Sequence, residues 1–313
     1  MDEYLTDICY SLTRIVFTHA LGRYFVLENS NNDTNAYAEK LLEYTKQSMY
    51  NRIPQMEWLD DETIEYAYKK IDTMTTTIGY TKEILDQEYI FKMYEGFDVS
   101  LDDFLTNQIN YVIFMNNKIL DFYEGGLESI LVEALIPQNV NAYYTPLNNS
   151  IFIPIGILQT PFFSHGIPDY INYGGIGSII GHELTHVFDS NGKNYDMNGY
   201  IMQWQTLAEN LADNGGLTRA YESWKLSMKE DPEHVKKENQ LLPGLSKYTM
   251  DQLFFISFGQ IWCNNEYFYP KNDPHASGSA RVRGTIANSK EFAAAFNCPL
   301  KSKMNPDKKC QLW

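Results

Sequence analysis

The run Gly181-His-Glu-Leu-Thr-His186 constrains this chain more than any other stretch. His182 and His186 are four residues apart, so on a helix both imidazoles project from one face about one turn apart. The flanking Ile179, Ile180, Leu184, Val187 and Phe188 are apolar and put that helix in the interior. Two interior imidazoles on one face need a partner. Their separation lets two nitrogens reach a single Zn2+ at roughly 2.0–2.1 Å each. Glu183 lies about 100° around the helix axis from His182. That direction is poor for a third ligand and good for a base beside a metal-activated water. A chance H-E-x-x-H is expected on the order of once in a hundred such chains.

A third ligand is expected downstream on a second helix. In Thr206-Leu-Ala-Glu-Asn-Leu-Ala-Asp-Asn-Gly-Gly216, Glu209 and Asp213 are again four apart. Glu209 would complete two histidines and a carboxylate with one position open. Asp213 would accept a hydrogen bond from a ligand histidine and fix its tautomer, and Asp189 could do the same for His186. Zinc would lower the pKa of water toward ~7, with Glu183 taking the proton and passing it to the leaving amine. The oxyanion needs a further donor, and His19, His165, His234 and His275 are the candidates.

Around this core, residues 1–115 read as helical. Asp60 is placed to cap a helix over Asp61 to Met74, with Ile64, Ala67, Tyr68 and Ile71 on one face. Ser100 is placed to cap another, carrying Leu101, Phe104, Leu105, Ile109 and Ile113. From 116 to 313 the pattern is mixed. Val140 to Thr145 and Ser150 to Ile155 flank Pro146-Leu-Asn-Asn149, the pattern of a hairpin.

Composition narrows the alternatives. A formal charge of −15 argues against a nucleic-acid partner. No stretch approaches the ~20 apolar residues of a membrane span, and the opening segment lacks the basic start of a signal peptide. The four cysteines, Cys9, Cys263, Cys298 and Cys310, show no C-x-x-C spacing, which argues against a cysteine zinc site. Two acceptor triplets, Asn32-Asp-Thr34 and Asn148-Asn-Ser150, favour a secreted context.

Several longer motifs then occur in one order: Val140-Asn-Ala-Tyr-Tyr144, Pro154-Ile-Gly-Ile-Leu-Gln-Thr-Pro-Phe-Phe163, Asn172-Tyr-Gly-Gly-Ile-Gly177, Leu207-Ala-Glu-Asn-Leu-Ala-Asp-Asn-Gly-Gly-Leu217, Leu241-Leu-Pro-Gly-Leu245 and the close from Met304 to Trp313. With these the chain resembles the neprilysin and endothelin-converting-enzyme group of zinc metallopeptidases over nearly its whole length. The resemblance implies a mainly helical α+β fold, a thermolysin-like (gluzincin) catalytic domain over 116–313, and part of a helical lid domain over 1–115. It implies one zinc ion held by His182, His186 and Glu209.

The resemblance also assigns further roles. Asp273-Pro-His275 is similar to the family's Asp-x-His, which makes His275 the oxyanion donor. Arg281 corresponds to an arginine that binds a substrate carbonyl. Asn141 and Ala142 correspond to an edge-strand pair that holds the substrate backbone. Phe162, Phe163, Ile180 and Trp262 correspond to an apolar S1′ pocket, which implies cleavage of oligopeptides on the amino side of hydrophobic residues. The implied partners are peptides, with a homodimer left open. The implied location is extracellular or at the cell surface, and any membrane contact would come through an N-terminal anchor that this chain lacks.

The chain departs from the family in two places. The family carries a longer N-terminal helical region and a further segment between Trp204 and Thr206. The resemblance implies that Cys9, Cys263 and Cys298 pair with cysteines in the first region and Cys310 with one in the second, which would leave all four without partners. Glu209 still lies 23 residues after His186, workable beside the spacing of about twenty in thermolysin-type sites. Two hypotheses follow: a zinc endopeptidase or its catalytic fragment, and a shortened paralogue that binds zinc and peptide without turnover.

Overall fold

Apolar residues recurring every three to four positions make helices the dominant element, and the structure follows that pattern. The computed structural model describes residues 2–56, 59, 61–125, 135–189, 192–198, 209–230, 239–263 and 276–309. In chain order the elements are α1 (Asp2–Val16), α2 (Thr18–Asn29), α3 (Asn32–Arg52), α4 (Asp61–Asp72), β1 (Thr75–Gly79), α5 (Gln87–Met93), α6 (Phe104–Gly125), β2 (Tyr143–Thr145) and β3 (Ser150–Pro154). Then come α7 (Asp169–Asn172), a π turn (Tyr173–Gly177), α8 (Ser178–His186), α9 (Glu209–Glu230), α10 (Met250–Ile261), α11 (Gly278–Asn288) and α12 (Lys290–Ala295). Among the described residues no helix is long and apolar enough to cross a membrane.

The helix starts follow capping chemistry. Asp86 accepts from the amides of Glu88 and Tyr89 at α5. At α10 Thr249 and Gln252 form a reciprocal capping box. The helix expected from Ser100 starts at Phe104, and Asp103 caps it through the Thr106 amide at 2.9 Å. The shift has a local cause: Ser100 is engaged instead with the Asn107 side chain. The helix expected from Asp61 to Met74 is α4 and ends two residues earlier; Asp60 lies outside the described residues.

The hairpin forms with antiparallel pairs Tyr143 with Phe152, Tyr144 with Ile151 and Thr145 with Ser150. Its turn closes on Asn149, a buried residue at φ 47°, a left-handed conformation that asparagine tolerates. β1 adds to the other side of β3, giving the order β1-β3-β2 and leaving β2 at an edge. Asn141 and Ala142 precede β2 rather than lying in it.

The chain divides into two compact units: Met1–Asn31 with Gly79–Val140 and Pro154–Gly156, and Asn32–Ile78 with Asn141–Ile153 and Ile157–Trp313. This grouping cuts the chain elsewhere than at residue 115, because α3 and α4 share a core with α8 to α10. That second unit is built around Tyr170, Ile180, Leu184, Trp224 and Phe254, with the Trp224 and Phe254 rings stacked 5.8 Å apart. The first unit has a small buried cluster of Val26, Ile84, Ile90 and Ile155, and rings of Phe17, Tyr94, Phe97 and Phe114 pack within it. Among the described residues Cys9, Cys263 and Cys298 are free thiols; Cys310 lies outside the described residues.

Candidate active site

Two crossing helices in the second unit make the site. α8 carries His182, Glu183 and His186, and α9 carries Asp213. The crossing is close because glycine faces glycine: a Cβ on Gly181 would stand 2.4 Å from the Gly216 carbonyl oxygen, and one on Gly216 would stand 2.5 Å from the His182 nitrogen. Any side chain at either position would push the helices apart and withdraw Asp213 from His182.

That approach puts Asp213 Oδ1 2.9 Å from His182 Nδ1. Asp189, just beyond α8, places Oδ2 2.5 Å from His186 Nδ1 and accepts the Gly192 amide at 2.6 Å on its other oxygen. Both carboxylates are buried. A carboxylate only accepts, so each histidine donates through Nδ1–H, and in the neutral ring Nε2 is then the nitrogen that accepts or binds a metal. The two Nε2 atoms face each other at 2.9 Å. Two lone pairs at that distance need a proton or a metal ion between them. His182, Glu183 and His186 bring ligand atoms within 4.8 Å of one another, and two imidazoles with carboxylates behind them suit zinc.

Asp213 has a second partner. Arg281 on α11 meets it in a fork, Nε to Oδ2 at 2.8 Å and Nη2 to Oδ1 at 2.7 Å. The guanidinium lies 3.8 Å from the Trp262 ring centroid. Burial alone would raise the Asp213 carboxyl, but hydrogen bonds from His182 and Arg281 and their charge hold it below the usual carboxylate value.

Of the other residues singled out in the sequence, Asn141 is exposed and Ala142 buried. Phe162 and Trp262 are half-buried against the core that contains Phe163 and Ile180. Phe163 packs on Tyr37 at 5.2 Å, and Ile180 exposes nothing. Glu209 opens α9, one turn before Asp213; its side chain, Asp273 and His275 lie outside the described residues.

Lys70 on α4 was not singled out by its sequence, and it is buried under the end of α8. Its ammonium donates to the carbonyls of Val187 at 3.0 Å, Gly192 at 2.7 Å and Tyr195 at 2.8 Å. Burial lowers its pKa to about 8, against the opposing pull of Asp189 and Asp196. Its partners are main-chain carbonyls, which no residue pattern announces. The available signal was its place at the border of the Ala67 and Ile71 stripe.

Comparison with known proteins identifies the family and the fold. A sequence profile of peptidase family M13 matches residues 141–206 and 204–312, and a second profile of the same description matches 4–81. The chain is 33% identical to an endothelin-converting enzyme homolog of Locusta migratoria, over 97% of this chain and 46% of that protein. It is equally 33% identical to Neprilysin-3 of Drosophila melanogaster, over 99% of this chain and 44% of that protein. The chain thus spans about half the length of the curated relatives it matches. A crystal structure of a Mycobacterium tuberculosis zinc metalloprotease with an inhibitor shares the fold at a TM-score of 0.74 and 24% identity, over 92% of this chain and 48% of that one. The expected mainly helical α+β, gluzincin-type fold is therefore present, and the chain belongs to peptidase family M13.

Proposed function

We propose that this chain is the catalytic part of a zinc-dependent metalloendopeptidase that hydrolyses oligopeptides on the amino side of hydrophobic residues. One observation carries the reading: two Nε2 atoms 2.9 Å apart, each histidine anchored through Nδ1 to a buried carboxylate. His182 and His186 would hold one zinc ion with Glu209, which begins the helix of Asp213. Bound there, zinc would polarise the scissile carbonyl and lower the pKa of water toward ~7.

The chain's own residues do the rest. Asp213 and Asp189 keep both imidazoles in the Nδ1–H tautomer, with Nε2 directed inward. Glu183 takes the proton of the attacking water and delivers it to the leaving amine. His275 donates to the developing oxyanion. Arg281, held by Asp213 and Trp262, is fixed to donate to a substrate carbonyl. The exposed Asn141, beside edge strand β2, would receive the substrate backbone as an added strand together with Ala142. Phe162 and Trp262 would offer the apolar surface of the S1′ pocket, backed by Phe163 and Ile180.

In this reading the unit of Asn32–Ile78, Asn141–Ile153 and Ile157–Trp313 is the catalytic domain and the other unit is part of a lid, and the protein works outside the cell or at its surface. Chelator-sensitive cleavage of a peptide before a hydrophobic residue, lost in Glu183→Gln, is the expected result. Full activity in Glu183→Gln would sink the proposal. The non-catalytic alternative draws on the free thiols and the exposed apolar residues of the first unit. Zinc and peptide binding without turnover would select it.

A further inference from the structure

Lys70 offers three N–H donors and meets three main-chain carbonyls, those of Val187, Gly192 and Tyr195. The residue is 1% exposed. Burying an ammonium is costly unless every donor is matched, and here every donor is. The three carbonyls belong to the segment that leaves α8, and Val187 is its C-terminal cap, where a cation is favoured.

That segment carries Asp189. Its carboxylate reaches His186 Nδ1 with one oxygen and the Gly192 amide with the other, so the carbonyl and the amide of Gly192 are held by Lys70 and by Asp189 respectively. The lysine is fixed from behind as well. Asn149 Nδ2 donates to the Lys70 carbonyl at 2.8 Å, and Tyr144 on edge strand β2 donates to Asn149 Oδ1 at 3.0 Å. A hydrogen-bonded chain therefore runs from β2 through Asn149 and Lys70 to the segment that orients His186.

We propose that Lys70 is a positioning residue for the metal site: its ammonium closes the segment after α8 and so sets Asp189 against His186. The proposal rests on the zinc reading of His182 and His186. Lys70 touches neither substrate nor ion and acts through Asp189.

The test is zinc affinity of the full chain, by chelator competition, with thermal unfolding of the metal-free form as a companion. Lys70→Met should weaken zinc about 10–100-fold, the range seen when the partner behind a metal ligand is lost. Asp189→Asn should do the same, and the double variant should be no worse than the weaker single one. Lys70→Arg should recover most of the loss. Met49→Ala, which opens a cavity in the same unit, should lower the melting temperature and leave zinc affinity unchanged. If Lys70→Met does not fold, Lys70→Gln, which keeps two donors, gives the same comparison. Wild-type affinity in the Lys70 variant, multiplied losses in the double variant, or an equal loss in Met49→Ala would each overturn the role of Lys70. A wild-type chain that holds no zinc would instead overturn the metal reading beneath it.

Discussion

The two compact units spend their apolar residues in opposite ways. In the second, Trp224, Phe254, Tyr170 and Ile180 are fully buried and close a core around the helices that carry the site. In the first, α6 leaves Leu105, Ile109, Val112, Ile113 and Leu120 exposed along one helical face. Leu105 alone is 69% exposed, and a cavity of about 180 Å3 lies between α1 and α6, lined by Leu12, Val16, Phe17 and Phe104. Large exposed apolar faces are in general features of interaction surfaces rather than of closed cores. The difference teaches that the chemistry is concentrated in a unit that supplies its own packing. The other unit keeps apolar surface that its described residues leave exposed.

This contrast sets the expected size of each perturbation. The largest belongs to Glu183→Gln, which should cut peptide cleavage by about 10²–10⁴-fold, the usual worth of a general base, with zinc content unchanged in a metal assay. Next is Trp224→Ala, which removes the largest fully buried ring among the described residues of the second unit and should cost about 3–5 kcal/mol in denaturant unfolding. Asp213→Asn comes third, with zinc affinity down about 10–100-fold in chelator titration.

A pH dependence follows from the same carboxylate. Asp213 is held below its ordinary 3.8, so its contribution is complete above about pH 4 and is lost as pH falls through the lowered value. Acid unfolding of the metal-free chain should therefore be less steep below pH 4 in Asp213→Asn than in wild type. The smallest effect belongs to the first unit: Leu105→Lys on α6 should shift stability by no more than about 0.5 kcal/mol in thermal unfolding. A loss of several kcal/mol there would break the contrast between the units.

How far the sequence announced this depended on the range of the interaction. His182, Glu183 and His186 were legible because helix geometry converts a spacing of four into one face. Asp213 was legible by the same rule, and the glycines that admit it, Gly181 and Gly216, lay in the motifs. The hairpin was legible from its β-branched runs, although β2 is shorter than its run and β1, a short Thr-rich segment directly after α4, went unread. Ser100 was expected as the cap because its residue type suits the position, but so does that of Asp103, and only the engagement of Asn107 with Ser100 shows why Asp103 takes the role. The packing of α3 and α4 with α8 to α10 was not legible, since it depends on contacts between segments more than a hundred residues apart. Lys70 belongs to that class. The Arg281 fork on Asp213 was not legible from spacing either; resemblance alone pointed to the arginine, and its carboxylate partner emerged only in the structure.

The most direct test of the account is the zinc content of the purified full chain beside its His182→Ala form. One zinc ion per wild-type chain, absent from His182→Ala, is the predicted result. A wild-type chain without zinc, or equal zinc in both, would contradict it.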